Sequence, residues 1–211
     1  MIHAGFWVAL FFLGCYHGIN PAMGWLFAVA LGLQERERRA VWAALPPIAL
    51  GHIVSVSAIV TAAAVLSLAI PQRELRIGTA AILIGFGLYR AVRTRHFRWA
   101  GMRVGFWGLA TWAFLMATGH GAGLMLLPFL IPTHANAMPG MAMPPAPIGP
   151  NPTLWIAAVA IHTLGYLAAM TLVAFVVYDW LGVGVLRKAW WNFDLAWALA
   201  LVVSGIVILV L

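Results

Sequence analysis

The chain has 211 residues, 64% of them hydrophobic and 8% charged, with a mean hydropathy of +0.98. A soluble domain carries about 25% charged residues, so this composition excludes a water-soluble globule and reads as an all-α integral membrane protein. The net charge of +7 does not mark a nucleic-acid binder, because Lys and Arg are confined to short loops between apolar runs. The single cysteine excludes an intrachain disulfide and thiol-pair redox chemistry.

A membrane span needs about 20 apolar residues, and the sequence predicts six of them, at about 5–33, 40–69, 75–92, 103–131, 153–181 and 191–211. The first opens without Lys or Arg. Phe12-Leu13-Gly14-Cys15 therefore resembles a lipoprotein cleavage box only faintly, and the apolar run continues past the cysteine. Near its middle this run is interrupted by Gly14-Cys15-Tyr16-His17-Gly18-Ile19-Asn20-Pro21-Ala22-Met23-Gly24. Kinked backbone at membrane depth is tolerated only where it is buried in protein or lines a cavity. Pro21 removes a helix hydrogen bond and frees a carbonyl near Gly18 or His17, and Asn20 is placed to face the resulting cavity. Pro46 and Pro47 are expected to do the same in the second span, ahead of His52.

Loop charges set the predicted orientation. Arg36, Arg38, Arg39, Arg90, Arg93, Arg95, Arg98, Arg103, Arg187 and Lys188 lie on or beside the first, third and fifth loops. The second holds Arg73 and Arg76 and the fourth none. The odd-numbered loops are then cytoplasmic and both termini extracytoplasmic, which places the chain as a multi-pass protein of a bacterial cytoplasmic (inner) membrane. Trp99, Trp190 and Trp191 read as interfacial anchors. Asp179 and Asp194 are expected to pair with Arg187 or Lys188 or to cap a helix. The fourth loop, about 132–152, holds seven prolines with His134, Met138, Met141 and Met143. It reads as an extended linker, or as a weak collector of soft metal ions, since thioethers prefer Cu(I).

Within this single membrane domain, residues 5–92 and 103–211 each hold three spans. Three is odd, so a duplicated half inserts upside down, giving a 3+3 inverted-topology repeat. The first and fourth spans carry His17 and His120 beside the glycine pairs Gly14/Gly18 and Gly119/Gly123. The second and fifth carry His52 and His162, and the third and sixth carry Gly85 and Gly205. Small residues four apart let helix backbones approach closely. Ionisable residues inside a bilayer mark substrate paths, and imidazole can bind a transition metal, carry a proton or ligate haem iron. The sequence therefore places His17, His52, His120 and His162 around one central path. Asn20, Met23, Ser55, Thr118 and Cys15 support it, Met116 and Met125 are further sulfur candidates, and His3 and His96 take no role.

These residues resemble the LysE transporter superfamily, and within it the nickel/cobalt transporter branch. His17-Gly18-Ile19-Asn20-Pro21-Ala22-Met23 stands where that branch has histidine, four residues and Asp-His. Leu50-Gly51-His52 looks like its later Leu-Gly-His segment. The resemblance implies six spans in an inverted three-plus-three arrangement and carries over His17 and His52. Ala22 and Met23 replace the Asp-His, which weakens a nickel site and tilts it toward softer ions. The leading expectation is thus a secondary transporter of a transition-metal ion, coupled to protons, with no enzymatic activity and no P-loop for ATP. Three alternatives stand beside it: a haem-bearing or quinone-linked electron-transfer protein using the same histidines, an exporter of a small organic solute, and a structural subunit of a larger complex. A homodimer fits the glycine pairs as well as internal packing does.

Overall fold

The computed structural model describes residues 4–92, 104–130, 152–181 and 186–210, without the side chains of Gln72, Leu181 and 186–197. Every regular element among them is helical. In chain order they are α1 (Ala4–Ile19), α2 (Trp25–Glu35), α3 (Arg38–Ala69), α4 (Gln72–Val92), α5 (Phe106–Gly119), α6 (Leu127–Leu130), α7 (Pro152–Val176) and α8 (Leu186–Val210). A 3-10 turn, Pro21–Met23, joins α1 to α2, another, Leu124–Leu126, leads into α6, and α7 ends in a π turn, Val177–Leu181. The Pro/Met-rich linker lies almost wholly outside the described residues, as do His3, His96 and Trp99. Of Trp190, Trp191, Asp194, Arg187 and Lys188 only the helical backbone is described.

Among the described residues three helical stretches are long and apolar enough to cross a membrane: Arg38–Ala69, Arg73–Val92 and Pro152–Trp180. The bent pair Phe106–Gly119 and Leu124–Leu130 makes a fourth if counted as one span. The surface agrees with a lipid setting. Large apolar side chains such as Trp180, Trp107 and Leu68 are exposed by 85, 74 and 73%, more than a water-soluble monomer tolerates in contiguous patches.

Two interruptions shape the rest. After α1, Asn20 caps the 3-10 turn, its Oδ1 accepting from the Ala22 N–H at 3.0 Å, and Gly24 turns the chain at φ +122°. A side chain is strained at that φ, which accounts for glycine there. The carbonyl predicted to be freed near His17 is instead taken by the Asn20 N–H at 3.2 Å, and the Trp25 indole donates to the Ile19 carbonyl at 2.9 Å. After α5 the chain turns at Gly121, φ +72°, and the two flanking helices meet at 48°. The prolines of the second span do not break it: α3 runs through Pro46 and Pro47 over 32 residues. At 1.5 Å per residue that is about 48 Å, longer than a hydrocarbon core of about 30 Å.

Lipid supplies no hydrophobic drive between helices, so close packing holds them together. The principal pairings are α1 on α7, α3 on α5 and α4 on α8, with α2 set against α3 and α7. Gly14 and Gly18 sit so close to α7 that a Cβ would strike the His162 and Tyr166 carbonyls, and Gly165 meets the Phe11 carbonyl in return. The partner expected for Gly14/Gly18 does not behave alike. Gly119 has nothing within 4 Å and Gly123 faces only the Ile59 side chain, while Gly51 makes the close approach to α5 at the Ala110 carbonyl. Gly85 is likewise open. Gly87 is the residue that meets α8, 2.9 Å from the Ala198 carbonyl for an added Cβ, and Gly205 meets the Ala80 carbonyl at 3.0 Å.

Candidate functional site

The α1 interruption brings its polar residues inside. His17, Asn20 and Met23 are buried, and His52 of α3 and His162 of α7 close on them. The His17 ring lies 4.9 Å from His162 and 6.0 Å from His52, centre to centre, both edge-on. His52 and His162 stack at 5.6 Å with their planes 19° apart. The residues that put them there are the small ones, since Gly14 and Gly165 let α1 and α7 approach until short imidazole side chains touch.

The tautomer of His17 follows from its own helix. Nδ1 donates to the Leu13 carbonyl one turn back at 3.1 Å, which leaves the lone pair on Nε2. A backbone carbonyl on the far nitrogen is also the usual way a metal-binding histidine is held in orientation. Both ring nitrogens of His52 are buried without a hydrogen-bond partner, and those of His162 are buried with the Leu10 backbone of α1 beside them. An unsatisfied buried polar atom costs about 1–3 kcal/mol. Such a cluster is therefore expensive as mere structure.

Tyr166, absent from the sequence-derived set, completes the site. Its ring stacks on His52 at 3.8 Å with planes 8° apart, and its hydroxyl donates to the Met23 carbonyl at 2.5 Å. It thus ties α7 to the turn after α1 and fixes one face of the His52 ring. One signal was available: Tyr166 lies four residues after His162, on the same helix face.

His120 is a correction to the expected four. It too is buried, but its Nδ1 donates to the Met116 carbonyl at 2.8 Å and its Nε2 faces the Arg90 guanidinium at 3.0 Å. Arginine is always protonated and only donates, so Nε2 accepts and its lone pair is occupied. Arg90, read from sequence as a loop cation, reaches back from the last turn of α4 to do this.

Among the supporting residues, Ser55 and Thr118 bond each other at 2.8 Å across α3 and α5, and Thr118 also donates to the Phe114 carbonyl. They join helices and are not bonded to the histidines. Cys15 is half-buried, and Met116 and Met125 are buried. Asn20 spends its oxygen on the cap, while its buried Nδ2 has no partner. Asp179 pairs with Arg38 at 2.7 Å, because the π turn carries it beside the start of α3, and the side chains of its expected partners Arg187 and Lys188 lie outside the described residues.

Among the described residues no three His, Cys, Asp or Glu side chains are arranged to hold a metal ion as placed. What the fold and site define is a helical protein with membrane-length apolar helices and a buried imidazole cluster at a helix interruption. Compared with known proteins, the chain matches no family model, no curated protein and no solved structure.

Proposed function

We propose that this chain is a secondary membrane transporter of a soft or borderline transition-metal ion, with the His17, His52 and His162 imidazoles as its ligand donors. The observation that carries the reading is the meeting of three imidazoles from three helices at an interrupted span, with both His52 ring nitrogens buried unpartnered. Broken helices at the centre of paired repeats are where transporters hold substrate. Neutral imidazole binds a cation and protonation releases it, which gives coupling to a proton gradient. Binding requires the His52 and His162 rings to turn out of their stack. Met23, beside the cluster and in the place of the histidine of the nickel/cobalt motif, favours a softer ion than nickel.

The same reading takes the chain as six spans in an inverted repeat, with both termini extracytoplasmic, in a bacterial inner membrane. Exchange of contacts between the halves supports the repeat. The sequence offset from Ala80 to Ala198 also carries Ile84 onto Val202 and Gly87 onto Gly205, and each glycine packs on the other trio's residues. The offset from His17 to His120 carries Phe11 onto Phe114 and Cys15 onto Thr118, and that from His52 to His162 carries Ser55 onto Gly165. Gly165 packs on Phe11 and Cys15, and Ser55 bonds Thr118, which bonds Phe114. Kinship with the LysE superfamily belongs to this proposal and rests on His17 and Leu50-Gly51-His52.

The test is uptake of Cu(I), Zn(II), Co(II) and Ni(II) into proteoliposomes against a His17→Ala/His52→Ala variant. Flux that falls at least about tenfold in the variant supports the assignment, since loss of two ligands exceeds 1.4 kcal/mol. Unchanged flux discards it. Absence of metal flux with export of an organic solute moves the histidines to hydrogen-bond and proton roles, and a Soret band in the purified protein favours the haem reading.

A further inference from the structure

The histidine cluster lies where two buried apolar clusters meet. Phe6 and Leu10 of α1, Val56 and Val60 of α3, and Ala158 and Val159 of α7 belong to one. They precede His17 and His162 and follow His52, so this cluster fills the interior toward the Ala4, Ala69 and Pro152 ends of the helices. Ala28 and Val29 of α2, Ala44 and Ile48 of α3, and Met170 and Ala174 of α7 belong to the other, toward the Glu35, Arg38 and Val176 ends. An ion held by the imidazoles is closed off on both sides, and to pass it must part each in turn.

The two sides are held differently. On the first, α1 is pressed on the backbone of α7 at Gly14, Gly18 and Gly165. On the second, α2 meets its neighbours through side chains: a Cβ on Gly24 would touch Ile48, and one on Gly32 would touch Val41 and Tyr178. It also begins at a hinge, since Gly24 takes φ +122° directly after the 3-10 turn. Two side-chain hydrogen bonds tie that hinge down. Trp25 Nε1 donates to the Ile19 carbonyl at 2.9 Å within the same chain segment, and the Tyr166 hydroxyl donates across from α7 to the Met23 carbonyl at 2.5 Å. The Tyr166 ring is meanwhile stacked on His52. One buried side chain thus touches both an imidazole of the cluster and the hinge of the helix that covers it.

We propose that Tyr166 is the latch of a gate formed by α2, released when an ion draws His52 out of its stack. The proposal rests on the transport reading. Turning the His52 ring toward an ion removes the surface on which the Tyr166 ring is stacked. The hydroxyl then loses its fixed position, the Met23 carbonyl is freed, and α2 swings about Gly24 to open the site toward the Glu35 and Arg38 end. A ligand shifts a two-state element only by its differential interaction with the two states. Here the difference is the stack and the hydrogen bond, which belong to the closed state alone. Tyr166 is a positioning residue, acting through His52 and Met23 without touching the ion.

The experiment is hydrogen–deuterium exchange of the detergent-purified full chain with and without Cu(I), beside Cu(I) uptake into proteoliposomes. Tyr166→Phe keeps the stack and removes the bond to Met23. Backbone amides of residues 23–30 are then expected to exchange about fivefold faster, the worth of a net hydrogen bond, while those of α1 and α7 keep their protection. Ser55→Ala, which removes a bond between α3 and α5, is expected to leave residues 23–30 as they were. Saturating Cu(I) is expected to speed the same amides in the unmodified chain and to add little in Tyr166→Phe, where the tie is already cut. Because binding no longer has to break that tie, the half-saturating Cu(I) concentration for uptake is expected to fall by up to about fivefold in the variant. A residue that merely holds the site together would raise it. Unchanged exchange at residues 23–30 in Tyr166→Phe, or protection lost equally over α1, α2 and α7, overturns the latch. So does Cu(I) that binds the unmodified chain without speeding these amides. Faster exchange in the variant with no Cu(I) bound by either protein discards the metal reading and leaves the latch standing.

Discussion

The chain interrupts a helix twice beside a histidine, after α1 and after α5, and the two places end up chemically opposite. At the first, His17 gives its Nδ1 proton to its own helix and turns its other edge toward His52 and His162. At the second, His120 bonds its own helix in the same way, but a guanidinium occupies the other nitrogen. One arginine three residues short of a proposed loop thus separates a ligand-capable imidazole from a structural one. The packing differs as well, with Gly14 and Gly18 pressed on backbone and Gly119 in open space.

The largest effect expected from that difference is on stability. Gly14→Ala puts a Cβ into the His162 carbonyl and forces α1 off α7, a loss of at least about 3 kcal/mol. Gly119→Ala meets nothing and gains about 0.5–1 kcal/mol from the stiffer helix. Thermal unfolding of the two variants in one detergent compares them directly. A Gly14→Ala variant as stable as Gly119→Ala would mean that α1 and α7 are not in backbone contact at Gly14.

Next comes the cluster itself. His52→Leu removes two unpartnered buried nitrogens and keeps an apolar body against Tyr166, so folding stability is expected to hold or to rise by about 1 kcal/mol. Metal uptake is expected to fall at least about tenfold in the same variant, the pattern of a residue kept for function at the expense of stability. A variant both less stable and fully active assigns His52 to structure.

How much of this was legible beforehand depended on the scale of the signal. Helical class and membrane character are properties of whole runs, and the interruption at Gly14–Gly24 declared itself through Asn20, Pro21 and glycine. The meeting of His17 with His52 and His162 was within reach, because polar groups in apolar helices seek one another. The fate of His120 was not, since it turns on a long flexible side chain reaching back from Arg90, and snorkelling leaves no trace in loop-charge counting. The choice of Gly87 over Gly85 is equally hidden, being set by the rotation of α4 against α8. Pro46 and Pro47 misled for a related reason: proline removes a hydrogen bond locally, but neighbouring helices decide whether the helix yields.

A smaller effect sharpens the contrast between the two histidines. Arg90→Met leaves the buried His120 Nε2 without its donor and is expected to lower stability by about 1–3 kcal/mol. His120→Leu added to it is expected to recover most of that loss, since neither partner then remains polar. Unfolding of the two single variants and the double in a mutant cycle measures the coupling. Additive losses would show that Arg90 acts on the helix end and not on the imidazole.

The smallest effect belongs to the ion pair that joins the start of α3 to the π turn after α7. Arg38 and Asp179 meet at 2.7 Å, but their side chains are 64 and 26% exposed. Exposed pairs are worth at most about 1 kcal/mol, and salt screens them. Arg38 also lies 5.1 Å over the Phe175 ring, a contact that adds at most about 1 kcal/mol at an exposed position. Arg38→Gln is therefore expected to cost about 1 kcal/mol at low salt and less at high salt, and Asp179→Asn slightly less because it spares the ring contact. A salt-independent loss in both would mean that the pair is shielded from water, and that α2, packed between these same two helices, covers it more completely than its exposure indicates.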